Sequence, residues 1–313
     1  MDTLPSLLLA GSLLGFYLAA WSAAAGPVGR RAASVWPLAG VCVMAAAMGQ
    51  PGLGVAAAMG GALAAVGLVT GMVLVHADGV GGAPETPTPA LFLPPAVLAV
   101  MLVGLGGSVT PLTAGLLLVV AGAVKLATPG VRGAADAPSG AGRVVPGWAV
   151  VVQLLLATGV ALLAGWAAVE AATAIGRRHV HAPAGLLAAC VVGPAATLPL
   201  LGWCTSRARE QGAIGALSAC VTYAMRCLLL LVPLVLMVHA MRSAVLGELG
   251  RDVSVPFPPT LHRVEAVLML ALSTLLVAMF VGRFVPGRRD GVVLLMVYVA
   301  YIVLTSLWGA GLR

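Results

Sequence analysis

Charge is what this chain has least of. Only 9% of its 313 residues are Asp, Glu, Lys or Arg, and aromatics make up 5%. A soluble domain carries about 25% charged residues, so water is not the solvent for most of this chain. That excludes a soluble enzyme, a nucleic-acid-binding domain and a disordered polar tail. Lysine is nearly missing: Lys125 is the only one, and the other basic residues are all Arg. With 40 Gly and abundant Ala and Val, this composition points to a GC-rich genome and so to a bacterium. Cysteine is sparse and unpatterned. Cys42, Cys190, Cys204, Cys220 and Cys227 include no Cys-x-x-Cys pair, and they are expected to pack as small hydrophobes. His179-x-His181 has no third ligand close by, so no metal site is expected there. No phosphate-cradling loop, nucleophile elbow or pair of catalytic carboxylates occurs, so neither enzymatic chemistry nor a cofactor is expected.

What the chain has is apolar length. It is 61% hydrophobic, with a mean hydropathy of +1.07. A membrane span needs about 20 apolar residues, within about 17 to 25. Ten segments come near or meet this: 4–24, 36–50, 53–76, 90–106, 110–127, 147–171, 184–203, 213–240, 264–283 and 290–309. Only Met1 and Asp2 precede the first. It lacks the basic flank of a signal peptide and is read as an uncleaved helix. The polar stretch 128–146 reads as a cytoplasmic linker between two five-helix repeats, 1–127 and 147–313. An odd number of spans per half turns the second half upside down. The expected fold is therefore an all-α integral membrane protein of about ten transmembrane helices in two inverted five-helix repeats. Its lipid partner is the bilayer.

Arginines collect in cytoplasmic loops. With the N-terminus outside, Arg30, Arg31, Lys125, Arg132, Arg143, Arg207, Arg209, Arg283, Arg288 and Arg289 fall inside. Arg177, Arg178, Arg242, Arg251, Arg263 and Arg313 fall outside. The bias favours both termini outside the cytoplasmic membrane. Trp21, Trp36, Trp148, Trp203 and Trp308 lie near span ends, as an interfacial belt does. Trp166 lies deeper and is expected to pack inward.

The seventh segment holds the least regular stretch, with Pro194 and Pro199 five residues apart. Proline removes an amide donor and clashes with the carbonyl four residues back. The carbonyls of Cys190 and Ala195 are then freed, which lipid cannot satisfy. Such broken helices line the substrate site in many transporters. The alternative is a proline kink with no transport role. The matching break in the first half is placed at Gln50-Pro51-Gly52.

Several local patterns now carry a resemblance. Ala195-Ala196-Thr197-Leu198-Pro199-Leu200 resembles the Gly-Thr-Ser-x-Pro-Glu motif of the sodium/calcium exchanger (cation/calcium antiporter) superfamily. The stretch 214–221 falls where that family has Gly-Asn-x-x-Gly-Ser-Asn. The run Arg283 to Tyr298 is similar to the join between its last two helices. The resemblance covers 148–309, with the first half matching in layout. It implies an antiporter that works by alternating access, in which the first and sixth helices slide against the other eight. The cargo it implies is calcium or a monovalent cation. Yet the family's glutamate is Leu200 here, its first-half counterpart is read as Gly52, and the asparagine is Ala216. A dication wants carboxylate oxygens, and none stands at these positions. What remains is Thr197 and the Pro199 break, with Gln50 and Pro51 opposite. A member that has lost ion exchange and serves as a scaffold or partner subunit is the second reading.

The eighth segment adds Ser218, Thr222 and Arg226 at i, i+4 and i+8, so the three share one face. An arginine near mid-span costs about 2.5–3.5 kcal/mol on insertion scales and needs a partner. Glu170 and Glu265 are the candidates, or else the freed carbonyls. Arg226 is then a structural ion pair, a tethered cation in a vacated ion site, or an attractor of anions. Gly67-x-x-x-Gly71 suits close helix packing.

Overall fold

The computed structural model describes residues 4–24, 35–76, 88–104, 107–127, 147–178, 183–247, 254–256, 264–281 and 287–311. The linker 128–146 and His179-x-His181 lie outside these. Ten apolar helices are present among the described residues. They are α1 (Leu4–Ala24), α2 (Trp36–Ala47), α3 (Pro51–His76), α4 (Leu93–Gly104) and α5 (Pro111–Ala127). The second set is α6 (Gly147–Arg178), α7 (184–211), α8 (Ala213–Val245), α9 (Ala266–Phe280) and α10 (Arg288–Gly311). Stretches within α3, α6, α7, α8 and α10 are long and apolar enough to cross a membrane unaided. The other five are shorter; α2, with 12 residues, is about 18 Å long at 1.5 Å per residue.

The fold is built around α3, of which 83% is buried, against 22% for α10. Composition explains the difference. The first turns of α3 read Pro-Gly-Leu-Gly-Val-Ala-Ala-Ala-Met-Gly-Gly-Ala, so neighbouring backbones can approach it from all sides. Its later part packs on α10. Gly67 faces the ring of Tyr298, and a Cβ on Gly71 would lie 2.8 Å from Leu295 Cγ and 2.9 Å from the Gly291 carbonyl. The Gly67-x-x-x-Gly71 expectation is met there. The later part of α8, in the second half, packs in turn on α5 of the first.

Proline marks several helix starts. Pro51 and Pro111 open α3 and α5, where the missing amide would have had no partner. Gly49 turns the chain between α2 and α3 with φ of 79°, a conformation that favours glycine. Gln50 is the residue before α3 and Pro51 is its first. The break expected at Gln50-Pro51 is the turn between two helices that the segments 36–50 and 53–76 imply. The break expected in α7 is milder than predicted. The helix runs through Pro199 to Gln211. It widens into a π-turn at Ala188–Val192, where the Gly193 amide bonds the Ala188 carbonyl. Pro194 follows at once. A π-turn absorbs the missing donor without unwinding the helix.

The same device recurs. In α3, 14 α-helical residues precede the π-turn Ala65–Val69. In α8, 14 precede the π-turn Cys227–Leu231. Residues 162 apart are therefore equivalent, and the register holds upstream. Pro37-Leu38-Ala39-Gly40-Val41-Cys42 matches Pro199-Leu200-Leu201-Gly202-Trp203-Cys204 at the same offset. Two contacts repeat it. Cys42 Sγ meets the Gly54 carbonyl at 3.5 Å, and Cys204 Sγ meets the Ala216 carbonyl at 3.8 Å. The twin of Pro199 is Pro37, not Pro51, and the twin of Leu200 is Leu38, not Gly52. The two inverted repeats are real, with their equivalence shifted by fourteen residues from the expected one.

Loops that ten spans would put on one face do meet. Ser108–Val109, between α4 and α5, pairs antiparallel with Val255–Pro256, beyond α8. The Arg242 guanidinium, near the end of α8, would lie 3.0 Å from a Cβ on Gly49. Four of the five cysteines are buried and all are free, as small hydrophobes should be. Trp166 departs from expectation: it is 43% exposed on the outer surface of α6, where lipid is the natural neighbour.

Candidate transport site

The site sits where α3 and α7 cross. Gly60, Gly61 and Gly193 make the crossing possible. A Cβ on Gly193 would lie 2.5 Å from the Ala57 carbonyl oxygen and 2.7 Å from the Gly61 nitrogen. A Cβ on Gly60 would overlap the Ala189 carbonyl. Only glycine at these positions lets the two backbones touch.

Thr197 is the polar centre of this crossing and is 1% exposed. Its hydroxyl donates to the Gly193 carbonyl at 2.8 Å. It reaches the Gly61 carbonyl on α3 at 3.4 Å and the Tyr223 hydroxyl on α8 at 3.2 Å. Tyr223 is itself buried, and its hydroxyl also contacts the Cys227 thiol. Gly61 and Tyr223 are equivalent by the 162-residue offset, so Thr197 bridges the two halves at matching positions. Leu38 packs on the same side of Gly61 as Thr197: a Cβ there would lie 2.5 Å from Leu38 Cδ2 and 3.2 Å from Thr197 Oγ1. Leu38 and Leu200 are both fully buried. The crossing therefore offers hydroxyls and carbonyls beside Leu38, and among the described residues no carboxylate contacts Gly61 or Thr197.

The other sequence candidates distribute unevenly. Ser218 is buried and Thr222 half-buried on α8. The Thr222 hydroxyl is taken by the Ser218 carbonyl at 2.8 Å, so it serves its own helix. Arg226 is half-buried and immediately precedes the π-turn of α8. Glu170 is half-buried on α6. Glu265, its rival as partner for Arg226, instead accepts a 2.7 Å hydrogen bond from the Tyr301 hydroxyl. Pro199 is half-buried, one turn along α7 from Ala195. Gln50 and Pro51 do not face Thr197. Gly61 does, and Gln50 precedes it by eleven residues, about 16 Å along the helix.

Tyr223, Gly61 and Leu38 escaped the sequence reading. The repeated Pro-Leu-x-Gly-x-Cys was the available signal, since it fixes the offset that pairs Gly61 with Tyr223.

This arrangement is an all-helical membrane fold of two inverted five-helix halves, with a glycine-lined crossing and a polar node where they meet. Solved structures carry the same architecture. The H+/Ca2+ exchanger CAX superposes with a TM-score of 0.73 at 15% identity, covering 98% of this chain and 85% of its own. Native YfkE gives 0.67 at 14% identity, covering 96% and 89%. The sodium-calcium exchanger NCX_Mj gives 0.56 at 16% identity, covering 96% of each chain. At such identities the likeness establishes the fold: this chain has the fold of the cation/calcium antiporters. No family model matches the sequence, and no curated protein sequence does either.

Proposed function

We propose that this protein is a multi-pass transporter of the cytoplasmic membrane of a bacterium, with both termini outside, that moves a monovalent cation and not calcium. One observation carries the choice of cargo. The resemblance puts an acidic ligand at the position of Leu200, and the 162-residue offset makes Leu38 its first-half twin; both are fully buried. Calcium takes six to eight oxygens, carboxylates prominent among them. The crossing supplies Thr197 Oγ1, the Tyr223 hydroxyl and the Gly61 carbonyl. Neutral oxygens of this number suit a weakly held single charge. Ser218 and Thr222 on α8 and the Pro199 segment of α7 complete the candidate lining. Gln50, Pro51 and Glu170 stand farther out, as parts of a path toward it. Residues 1–127 and 147–313 form the two working halves, joined by 128–146 on the cytoplasmic side.

Alternating access is supported by the seam of α6. Gly40 of α2 lies against the backbone of Ala161, and a Cβ on Gly165 would lie 2.5 Å from the carbonyl of Gly40. A seam of small residues lets one helix pair shift on another with few interlocking side chains.

A second reading has its own support. Leu38, Leu200 and Tyr223 fill the space between the repeats, so the fold also suits a non-transporting membrane partner or scaffold. Uptake of labelled sodium and labelled calcium into proteoliposomes separates the two. Sodium or proton flux without calcium flux is the expected result. Calcium flux refutes the choice of cargo, and no flux of any cation in either direction refutes transport.

A further inference from the structure

We propose that the protein holds a second cation site, away from the helix crossing, at which Glu265 binds a single proton. It goes beyond the transport reading and does not depend on it.

Glu265 lies in the π-turn that leads into α9 and is only 6% exposed. Its Oε1 accepts a 2.7 Å hydrogen bond from the Tyr301 hydroxyl of α10. Its Oε2 is buried and has no partner among the described residues. The hydroxyl of Tyr298, one turn earlier on α10, is likewise buried and unpartnered there. The two tyrosine rings lie 6.0 Å apart. Around them stand Cys190 of α7, 3.8 Å from the Tyr301 hydroxyl, and Thr305, whose hydroxyl is 3.4 Å from the Cys190 sulfur. The cluster is therefore a buried polar pocket of side chains with two oxygens left over. An unmade hydrogen bond on a buried carboxylate is costly, and an ionised carboxylate without a cation is costlier still in the membrane interior.

Among the described residues, no basic side chain acts on Glu265. The elements packed on α9 are α4, the turn Thr88–Leu91 and the π-turn of α3, and none carries an ionisable side chain. The titratable groups facing Glu265 are Tyr298 and Tyr301 of α10 and Cys190 of α7. His262 and Arg263 precede it in sequence and lie outside the described residues. The ligand count decides the occupant. A calcium ion needs six or more oxygens, and a carboxylate with two phenols falls short. A proton needs one oxygen, and Oε2 is open. The carboxyl so formed turns a stranded acceptor into a donor.

The test is infrared difference spectroscopy of the full chain in lipid vesicles, stepped from neutral to acid pH. The wild type should gain a protonated-carboxyl stretch. E265Q should lose that component and E170Q should keep it. Y301F should keep the band but move it to higher frequency, because the carbonyl loses its donor. If E265Q does not fold, the Y301F shift decides by itself. A titrating band unchanged in E265Q, or unmoved in Y301F, overturns the proposal. So does a wild-type band abolished by sodium or calcium at constant pH, which would mean a metal ion occupies the site. A normal band with no cation flux leaves the site standing and removes transport; flux with no Glu265 band does the reverse.

Discussion

The α3–α7 crossing can be tested by one methyl group. Gly193→Ala puts a Cβ 2.5 Å from the Ala57 oxygen, 2.7 Å from the Gly61 nitrogen and 3.1 Å from the Gly60 carbonyl carbon. Ordinary contact begins at 3.4 Å, so the helices must part by roughly 0.9 Å. All three neighbours are backbone, and no side chain can swing aside. Overpacking of this kind costs about 1–3 kcal/mol. Alanine returns up to about 1 kcal/mol through helix propensity, which leaves a net loss of about 0–2 kcal/mol against wild type and of about 1–3 kcal/mol against a glycine-to-alanine change without the overlap. Separation of the helices also stretches the 3.4 Å contact between Thr197 and the Gly61 carbonyl. Gly202→Ala is the control. It lies on the same helix with nothing within 4 Å of its Cβ, so the propensity gain stands alone. Thermal unfolding of the purified protein in detergent should show Gly193→Ala melting several degrees below Gly202→Ala, which should melt at or above wild type. If Gly193→Ala melts with Gly202→Ala, the two backbones do not touch and the site as described does not exist.

Three further outcomes follow from the same geometry. Thr197→Val and Tyr223→Phe should each cost about 1 kcal/mol, and the double variant should cost less than their sum, since both remove one shared hydrogen bond; strict additivity in thermal melts would remove that bond. Leu38→Glu combined with Leu200→Glu should confer a calcium-dependent stabilisation of about 2.7 kcal/mol at a hundredfold excess over the dissociation constant, read as a rise in melting temperature. The paired Gln variant should show none, and a calcium response equal in both would refute the role given to the leucines. Arg226→Ala should lower yield and melting temperature without creating sodium binding, because the arginine stands half-buried at the π-turn of α8. Sodium binding gained by Arg226→Ala, read by calorimetry, would mark it as a tethered cation instead.

The ten helices were legible because apolar length is a direct physical demand of the bilayer. Their order, and the inversion that follows from five spans per half, came with it. Thr197 was legible from the proline beside it. The equivalence of the halves was misread at Gln50-Pro51 because a proline at a helix start and one inside a helix look alike in sequence. Only the backbone distinguishes the turn at Gly49, with its φ of 79°, from the continuous helix around Pro199. Tyr223 was overlooked beside Thr222 for a similar reason. Residue spacing gave a face of α8, but the α3–α7 crossing decides which side of α8 meets Thr197. The Glu265–Tyr301 bond joins residues 36 positions apart on separate helices, and no local pattern announces it.

The matched π-turns of α3 and α8 set a length rule. The stretches from Pro37 to Val69 and from Pro199 to Leu231 have the same length, although their turn glycines, Gly49 and Gly212, stand one position out of step. Removing one residue from either would rotate everything beyond it by about 100°, since a helical turn holds 3.6 residues. A deletion between Gly202 and Ser218 would swing Tyr223 away from Thr197, whereas the same deletion in the 128–146 segment would leave the α3–α7 crossing untouched. Tolerance to shortening should therefore be abrupt: free between the duplicated halves and nil within them.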